Sequence, residues 1–235
     1  MEAAISADIV SSTSLSSEDL SNIRDELRDT MNTIIKCFWR SDAFYFSQMS
    51  WYKFFWGRII KGDSIECYLN SVTDSLRFTL LLKLRTKVCV ASLDCSKETK
   101  KYGLRFAIGA GTFKMVDRER DIIDGPPIYL SGREMQKGKK PDHRRLFLTE
   151  EDPYGAIKII NDLVVWLDDR VNNMTAKQCE AVYYMLLEYK RSDILELLHI
   201  EQNTLSQRLI SSDWNRIEST IIDFEMLNFD RLCYM

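Results

Sequence analysis

The sequence predicts an α+β protein in which a mixed sheet with packed helices is followed by an all-α tail. The first 150 residues contain short runs of apolar, β-branched and aromatic residues that are typical of strands. Between these runs, apolar residues recur at spacings of three and four, which indicates core-facing helices. After residue 155 the helical spacing predicts several short helices that follow one another to the end of the sequence.

The composition suits one large domain, or one of about 170 residues with a small one, because 45% of the 235 residues are hydrophobic. No segment approaches the roughly 20 apolar residues of a membrane helix, and no secretion signal is apparent, so we expect a cytoplasmic protein with no membrane association. The six cysteines are scattered without a C-x-x-C pair and are expected to be reduced packing residues. A net charge of −3 provides no overall basic field to attract nucleic acid.

The N-terminal segment predicts a buried strand, a polar turn and a helix. The strand covers residues 3–10 and contains one acid, Asp8, among apolar neighbours. Ser11 and Ser12 open the turn, and the apolar spacing after Ser17 predicts a helix of roughly 20 residues. The first amides of a helix have no internal partner, so this arrangement suits an anion such as a phosphate. A capped helix without a ligand fits the same residues.

Residues 56–68 predict a β-hairpin with Lys61, Gly62 and Asp63 at its tip. Asp63 suits either an ordinary tight turn or a metal site, because glycine permits a ligand to approach closely. Burying the Asp8 carboxylate without a partner would be costly, and two such acids can share a cation. We therefore expect Asp8 and Asp63 to form a metal-binding pair. Lys61 either contacts phosphates or faces solvent.

The middle of the chain predicts a helix over residues 72–84 and a glycine-rich strand over residues 102–112. A turn at residues 124–127 precedes a second helix, and we expect Arg133 within its first turns. The helix dipole opposes a cation there, so Arg133 has either an anionic partner or simple solvent exposure. A basic run and a late strand at residues 146–149 follow.

The last part of the chain predicts a helix over residues 155–169 that ends at a domain joint. The expected domains are 1–150, a connecting helix at 151–171, and a helical domain at 172–235. Three or four short helices are predicted in that last domain, over residues 175–187, 192–198, 202–210 and 214–226, and Thr175 with Gln178 fits a capping box at the first of them. The three residues from His199 to Glu201 have the length of the turn in a helix-turn-helix.

The second helix of this motif carries polar residues that could read DNA. The candidates are Gln202, Asn203, Thr204, Gln207 and Arg208, which suit base edges and phosphates. Residues 172–235 contain six Lys and Arg but ten Asp and Glu, and this negative net charge favours a partner other than DNA. Dimerisation or protein docking is therefore the alternative for this domain.

Four segments, in order, resemble the SatD family: A-D-I-V around Asp8, G-D-S-I-E from Gly62, L-R-F-A-I-G-A-G from Leu104 and D-G-P-P-I-Y-L-S-G-R-E from Asp124. That family is similar to class III nucleotidyl cyclases, so the resemblance implies a ferredoxin-like α/β sandwich. It also implies Asp8 and Asp63 as ligands of Mg²⁺ or Mn²⁺, and Arg133 as the catalytic group that stabilises the transition state. The sequence over residues 194–209 resembles the end domain of SatD-like proteins and sigma-factor region 4.

The purine-selecting residues of the cyclases are replaced in this sequence. Tyr129 stands where a cyclase has Asn, and Ile59 and Ile122 stand where Lys and Asp select the base. The site then accepts another base, for instance a pyrimidine stacked on Tyr129, or binds a nucleotide without cyclising it, or is a remnant. Cyclase sites are assembled between two head-to-tail subunits, so the resemblance implies a homodimer.

Two functions fit these residues. The first is a SatD-like regulator in which a domain that binds nucleotide and metal, with Ser11, Ser12, Lys61 and Tyr129 at the nucleotide, controls a DNA-binding helix-turn-helix. The alternative is an active nucleotidyl cyclase, a phosphorus–oxygen lyase that uses Mg²⁺ or Mn²⁺ and has an altered base specificity. Release of pyrophosphate from a nucleoside triphosphate distinguishes the two.

Overall fold

The computed structural model describes residues 1–42, 54–60, 62–137 and 146–233, which form a mixed α+β structure. The predicted class, a mixed sheet followed by a run of helices, is confirmed. The strands of the described residues are β1 (Glu2–Ile9), β2 (Phe55–Ile60), β3 (Ser64–Leu69), β4 (Leu104–Gly111), β5 (Met115–Asp117), β6 (Ile122–Asp124) and β7 (Phe147–Leu148).

The main sheet has the strand order β2-β3-β1-β4-β7, and β1 is its central strand. Strand β1 is antiparallel to both β3 and β4, whereas β4 and β7 are parallel. The predicted hairpin joins β2 to β3, with Gly62 in a left-handed conformation at φ 89°. Strands β5 and β6 form a separate small hairpin, so the segment after β4 turns away from the main sheet rather than extending it.

The helices alternate with the strands in the first part of the chain and then follow one another without strands. Their bounds are α1 (Ser17–Asp42), α2 (Ser75–Ala91), α3 (Lys97–Tyr102), α4 (Pro126–Gln136), α5 (Ala156–Asn172), α6 (Ala176–Leu186), α7 (Arg191–Leu198), α8 (Gln202–Ser212), α9 (Trp214–Glu225) and α10 (Phe229–Cys233). The capping box predicted at Thr175 and Gln178 is present at the start of α6. None of the helices in the described ranges is long and apolar enough to cross a bilayer.

Helices α1 and α2 cover one face of the sheet and form the large core. Alternate residues of the central strand, including Ile5, Ala7 and Ile9, face these helices and are buried. Helix α2 is buried on nearly every side, because the sheet lies on one side of it and the later helices α5, α6 and α9 lie on the other. The later helices therefore share one hydrophobic core with the sheet.

Polar contacts link the later helices to α2 within this core. Asp168 of α5 forms an ion pair with Lys83, and both side chains are almost fully buried. Arg77 of α2 binds Glu225 of α9 through two bonds of 2.6 and 3.0 Å. Residues 168–173, where the sequence predicts a domain joint, contain the end of α5, and Val171 is buried there.

Helix α4 covers the opposite face of the sheet and lies very close to it. A Cβ atom on Gly109 would be 2.1 Å from the carbonyl oxygen of Pro127, so only glycine permits this approach. One turn further along α4, the hydroxyls of Ser131 and Ser6 are 2.8 Å apart and buried. These contacts fix α4 against β1 and β4, and a second small core that includes Trp56 and Ile128 fills the remaining space.

Candidate functional site

The strand register brings Asp8 and Asp63 to the same end of the sheet. Asp8 is paired with Ser64 across β1 and β3, and Asp63 is the residue immediately before Ser64. The backbone N–H of Ile9 donates to the carbonyl oxygen of Asp63 at 3.2 Å. Two acids that lie 55 positions apart in the sequence therefore become neighbours at the tip of the hairpin.

Arg105 of β4 forms a two-point ion pair with Asp8. Its Nε and Nη2 atoms donate to the two carboxylate oxygens at 2.7 and 2.5 Å. The hydrogen bond to Asp8 raises the pKa of Arg105; burial lowers it, and the charges of Asp8 and Asp63 raise it further. Arg105 thus lies within electrostatic reach of both acids.

Arg105 was not among the site residues predicted from the sequence. It lies directly opposite Asp8 in the register of β1 and β4. The sequence does contain one indication of this role: Arg105 is a charged residue at an alternating position of a glycine-rich strand. Such a position can share a sheet face with an acid on the neighbouring strand. Its pairing with Asp8 depends on a register between strands that are far apart in the sequence.

The serine turn and the hairpin tip hold each other through side chains. The hydroxyl of Ser12 donates to the Asp63 carboxylate, and Arg24 of α1 donates to the carbonyl oxygen of Gly62. Ser11 adopts a left-handed conformation at φ 56°, and its hydroxyl donates to Glu98 at 3.4 Å. The turn is therefore ordered around Asp63. Lys61 lies outside the described residues.

The serine turn and the start of α1 offer fewer free backbone N–H groups to an anion than the sequence predicts. A short 3-10 helix at Ser12–Ser14 separates the strand from α1. At the start of α1, the Ser16 hydroxyl accepts a 3.0 Å bond from the backbone N–H of Asp19. One amide of the first turn is thus satisfied by the protein itself, and Ser11 and Ser12 are the turn residues closest in sequence to Asp8.

The predicted position of Arg133 within its helix is wrong. Helix α4 begins at Pro126, so Arg133 lies in its last turn, where the helix dipole favours a cation rather than opposing it. It is exposed, and at 100° per residue it projects on the opposite side of α4 from Ser131, which faces the sheet. Arg133 therefore points away from the sheet surface that carries Asp8.

Tyr129 lies beside Arg133 on the outer side of α4 and is 38% exposed. Its hydroxyl donates to the Asp124 carboxylate, and this hydrogen bond raises the pKa of Tyr129. The side chains of Lys114 and Arg133 lie over its ring, at 5.7 and 6.0 Å from the ring centre. The ring is thus part of a small exposed cationic and aromatic surface.

The donor set at Asp8 and Asp63 suits a magnesium ion that is shared with a ligand. The described ranges contain no group of three or more His, Cys, Asp or Glu that could hold a metal by itself. Mg²⁺ is usually bound by one or two carboxylates together with substrate phosphates, and Asp8 and Asp63 are the carboxylates that would hold it here. Because Arg105 already binds both oxygens of Asp8, a cation at this position would have to displace it.

The five residues proposed for DNA contact differ in their surroundings on α8. Four of them, Gln202, Asn203, Thr204 and Gln207, are exposed. The fifth, Arg208, is only 14% exposed, and its guanidinium is 3.4 Å from the Glu180 carboxylate on α6. The three-residue turn before α8 contains His199 in a left-handed conformation at φ 49°. The outer face of α8 is therefore uncharged, and it is polar except for Ile210, which is 79% exposed.

We compared the chain with models of known families, with curated proteins and with solved structures. None of the three comparisons finds a match.

Proposed function

We propose that this protein is a SatD-like regulator in which a cyclase-like domain binds a nucleotide and a divalent cation and controls a helix-turn-helix. The observation that carries this proposal is the convergence of Asp8 and Asp63 at one end of the sheet, with Arg105 beside them. Carboxylates for the cation and a guanidinium for phosphate oxygens are the groups that a nucleoside triphosphate requires.

The order of elements supports a ferredoxin-like fold for the first part of the chain. Strands β1 to β4 alternate with helices as β-α-β-β-α-β, apart from the short helix α3, and they are arranged as β2-β3-β1-β4 with antiparallel neighbours. A ferredoxin-like fold has this β-α-β-β-α-β order, and this agreement supports the proposal. Strand β7 then extends the sheet beyond β4.

Within one chain, Tyr129 and Arg133 lie on a different surface from the two acids. The Ser131 hydroxyl of α4 is 2.8 Å from that of Ser6, which lies two residues before Asp8 on the same strand face, so α4 passes near this end of the sheet. Tyr129 and Arg133 project from the opposite side of the helix and therefore face away from the acids. A head-to-tail homodimer would bring Tyr129 and Arg133 of one subunit toward the acids of the other, which supports the proposed dimer.

The cation and nucleotide are tested together by titrating the protein with each of the four nucleoside triphosphates, with and without Mg²⁺ or Mn²⁺. We expect one or more of them to bind only with the cation. The double variant Asp8→Asn, Asp63→Asn should weaken that binding by at least about tenfold, because it removes both anionic ligands. The matched control is Glu66→Gln, Asp121→Asn, which removes the two acids around Arg58 on the same sheet face. Equal binding with and without cation, or none at all, contradicts the proposal.

The active cyclase is the second candidate, and the exposure of Arg133 on the outer side of α4 favours it. An arginine in that position is available to a nucleotide held by the partner subunit. In this case the wild type releases pyrophosphate, and Arg133→Ala lowers turnover while nucleotide affinity is retained. If nucleotide binds but none of the four triphosphates releases pyrophosphate, the cyclase candidate is rejected and the regulator remains the proposed function.

DNA binding by α7 and α8 is supported by the three-residue turn between them and by the exposed Gln202, Asn203 and Gln207. It is tested by the anisotropy of labelled genomic fragments at several salt concentrations. We expect Gln202→Ala, Gln207→Ala to weaken binding, and Asn215→Ala on the exposed surface of α9 to leave it unchanged. Binding that is unchanged in the α8 double variant contradicts a recognition role for α8.

A further inference from the structure

The guanidinium of Arg105 and a divalent cation require the same two oxygen atoms. Arg105 lies opposite Asp8 on the neighbouring strand and binds both oxygens of its carboxylate, at 2.7 and 2.5 Å. A two-point arrangement of this kind fixes the carboxylate in orientation and neutralises its charge. The Arg105 guanidinium is therefore the counter-ion of the Asp8 carboxylate.

Asp63, the second acid, has a different kind of partner. It accepts a hydrogen bond from the Ser12 hydroxyl, which is neutral and leaves the carboxylate charge in place. A hydroxyl can also rotate and present its oxygen to a metal ion, whereas a guanidinium has no acceptor and repels a metal ion. Of the two acids, only Asp8 is thus both neutralised and shielded from an incoming cation.

The ion pair is accessible enough to open. The side chains of Arg105 and Asp8 are 34% and 19% exposed, so water can replace each partner when they separate. Opening a pair that water can reach in this way costs less free energy than opening a fully buried pair. Opening the pair does not disturb the core, because Asp8 and Arg105 lie on the sheet face opposite α1 and α2.

We propose that Arg105 is a built-in competitor for the divalent cation and keeps the metal affinity of the carboxylate pair low until Asp8 is released. This inference rests on the proposed function, since it assumes that Asp8 and Asp63 are the cation ligands. When Arg105 is absent, two neighbouring carboxylates remain without a bidentate counter-ion. The nearby positive charge that repels a divalent ion is removed at the same time.

The test is a titration with Mn²⁺ alone, without nucleotide, in which the electron paramagnetic resonance signal of the free ion reports binding. We expect Arg105→Gln to bind Mn²⁺ at least about tenfold more tightly than the wild type, since it removes both the competitor and a repelling charge. Arg105→Lys should lie between the two, because an ammonium makes a point contact rather than a two-point one. The triple variant Asp8→Asn, Asp63→Asn, Arg105→Gln should lose the gain.

The matched control is Arg58→Gln. Arg58 forms the corresponding cross-strand pair with Glu66 between β2 and β3, with a closest approach of 2.7 Å, and it lies two residue pairs further from the hairpin tip than the Ile60–Ser64 pair. This variant should leave the Mn²⁺ affinity at the wild-type value. Circular dichroism melts of every variant confirm that the fold is retained, and Arg105→Lys carries the test where Arg105→Gln does not fold.

The outcomes separate the inference from the proposed function. Unchanged Mn²⁺ affinity in Arg105→Gln and Arg105→Lys, together with nucleotide binding that depends on Asp8 and Asp63, overturns the competitor role alone. An increase that persists in the triple variant also overturns it, because the ion then binds elsewhere. If no variant binds Mn²⁺, with or without nucleotide, both the inference and the proposed metal site fail.

Discussion

Two ion pairs lie on opposite sides of the sheet, and each joins a basic side chain to an aspartate. One pair is buried, whereas the other is partly exposed to solvent. Lys83 and Asp168 join α2 to α5 at 2.7 Å and are only 1% and 3% exposed. Arg105 and Asp8 join β4 to β1 at 2.5 Å and are 34% and 19% exposed. The first pair is enclosed by the core that the sheet shares with the later helices, and the second lies on the face that carries the candidate site.

The difference in solvent access decides what each pair can do. The Lys83 ammonium also donates to the carbonyl oxygen of Leu104, and Asn172 donates to the other oxygen of Asp168. A buried charge that loses its partner has no water to replace it, so this network holds α2, α5 and the start of β4 in one arrangement. The pair at Asp8 can open at a lower cost, because water is available to both side chains. The Asp8 carboxylate is then free to bind a cation, and the Arg105 guanidinium to bind a phosphate.

The largest expected effect is on the buried pair. Replacing Asp168 by Ala leaves the Lys83 ammonium buried without its counter-ion, and we expect the free energy of unfolding to fall by about 3–5 kcal/mol. Urea denaturation followed by circular dichroism measures this change. The double variant Lys83→Met, Asp168→Leu should recover most of the loss, because no charge remains in the core. A loss as large in the double variant as in the single one would show that packing, rather than charge, is responsible.

A smaller effect is expected from Lys87, one turn after Lys83 on α2. Burial lowers the pKa of Lys87 to about 8, although its ammonium donates to the carbonyl oxygens of Lys101 and Asn172. Between about pH 8 and its ordinary value of 10.5, the unfolded chain holds a proton on this lysine that the folded protein has released. In that interval the contribution of Lys87 to stability therefore rises with pH, by roughly 2 kcal/mol.

The measurement is the difference in unfolding free energy between the wild type and Lys87→Met from pH 7 to 10. The difference is needed because another group also changes the stability in this pH range. Burial raises the pKa of the Cys179 thiol to about 11, so the stabilising contribution of this thiol is lost as the pH rises through that value. A difference that does not change with pH would contradict the lowered pKa of Lys87.

The smallest effect on stability is expected at the partly exposed pair of Asp8 and Arg105. Asp8→Asn and Arg105→Gln should each change the free energy of unfolding by less than about 1 kcal/mol, since water solvates the remaining partner. The same denaturation experiment as for Asp168 measures it. A loss comparable to that of Asp168→Ala would remove the distinction between the two pairs, because Asp8 would then be a structural residue.

Periodicity predicted the elements well where the pattern is local. The strand with Asp8, the hairpin at Gly62, the glycine-rich β4 and the late strand at Phe147 all form inside the predicted segments or extend at most one residue beyond them. Helices α5 to α9 begin and end within a few residues of the predicted bounds, whereas α10 was not predicted. Helix α3, which is short and highly charged, has no apolar period and was not predicted.

The partners of the charged residues could not be predicted, because they depend on the register and packing of distant segments. Arg105 is 97 residues from Asp8, and Asp168 is 85 residues from Lys83. A lysine in an otherwise apolar helix such as α2 is more typical of an exposed position than of a buried one. Only the arrangement of α2 between the sheet and the later helices explains why Lys83 and Lys87 are enclosed.

The position of α2 also determines what happens if the chain is shortened. Twelve of its 17 residues are buried, and many of them are covered from the side away from the sheet by helices that begin after residue 155. A fragment that ended near residue 150 would present leucines and two lysines of this helix to water, and it would be prone to aggregate. Any signal that loosens the later helices would reach β4 through α2.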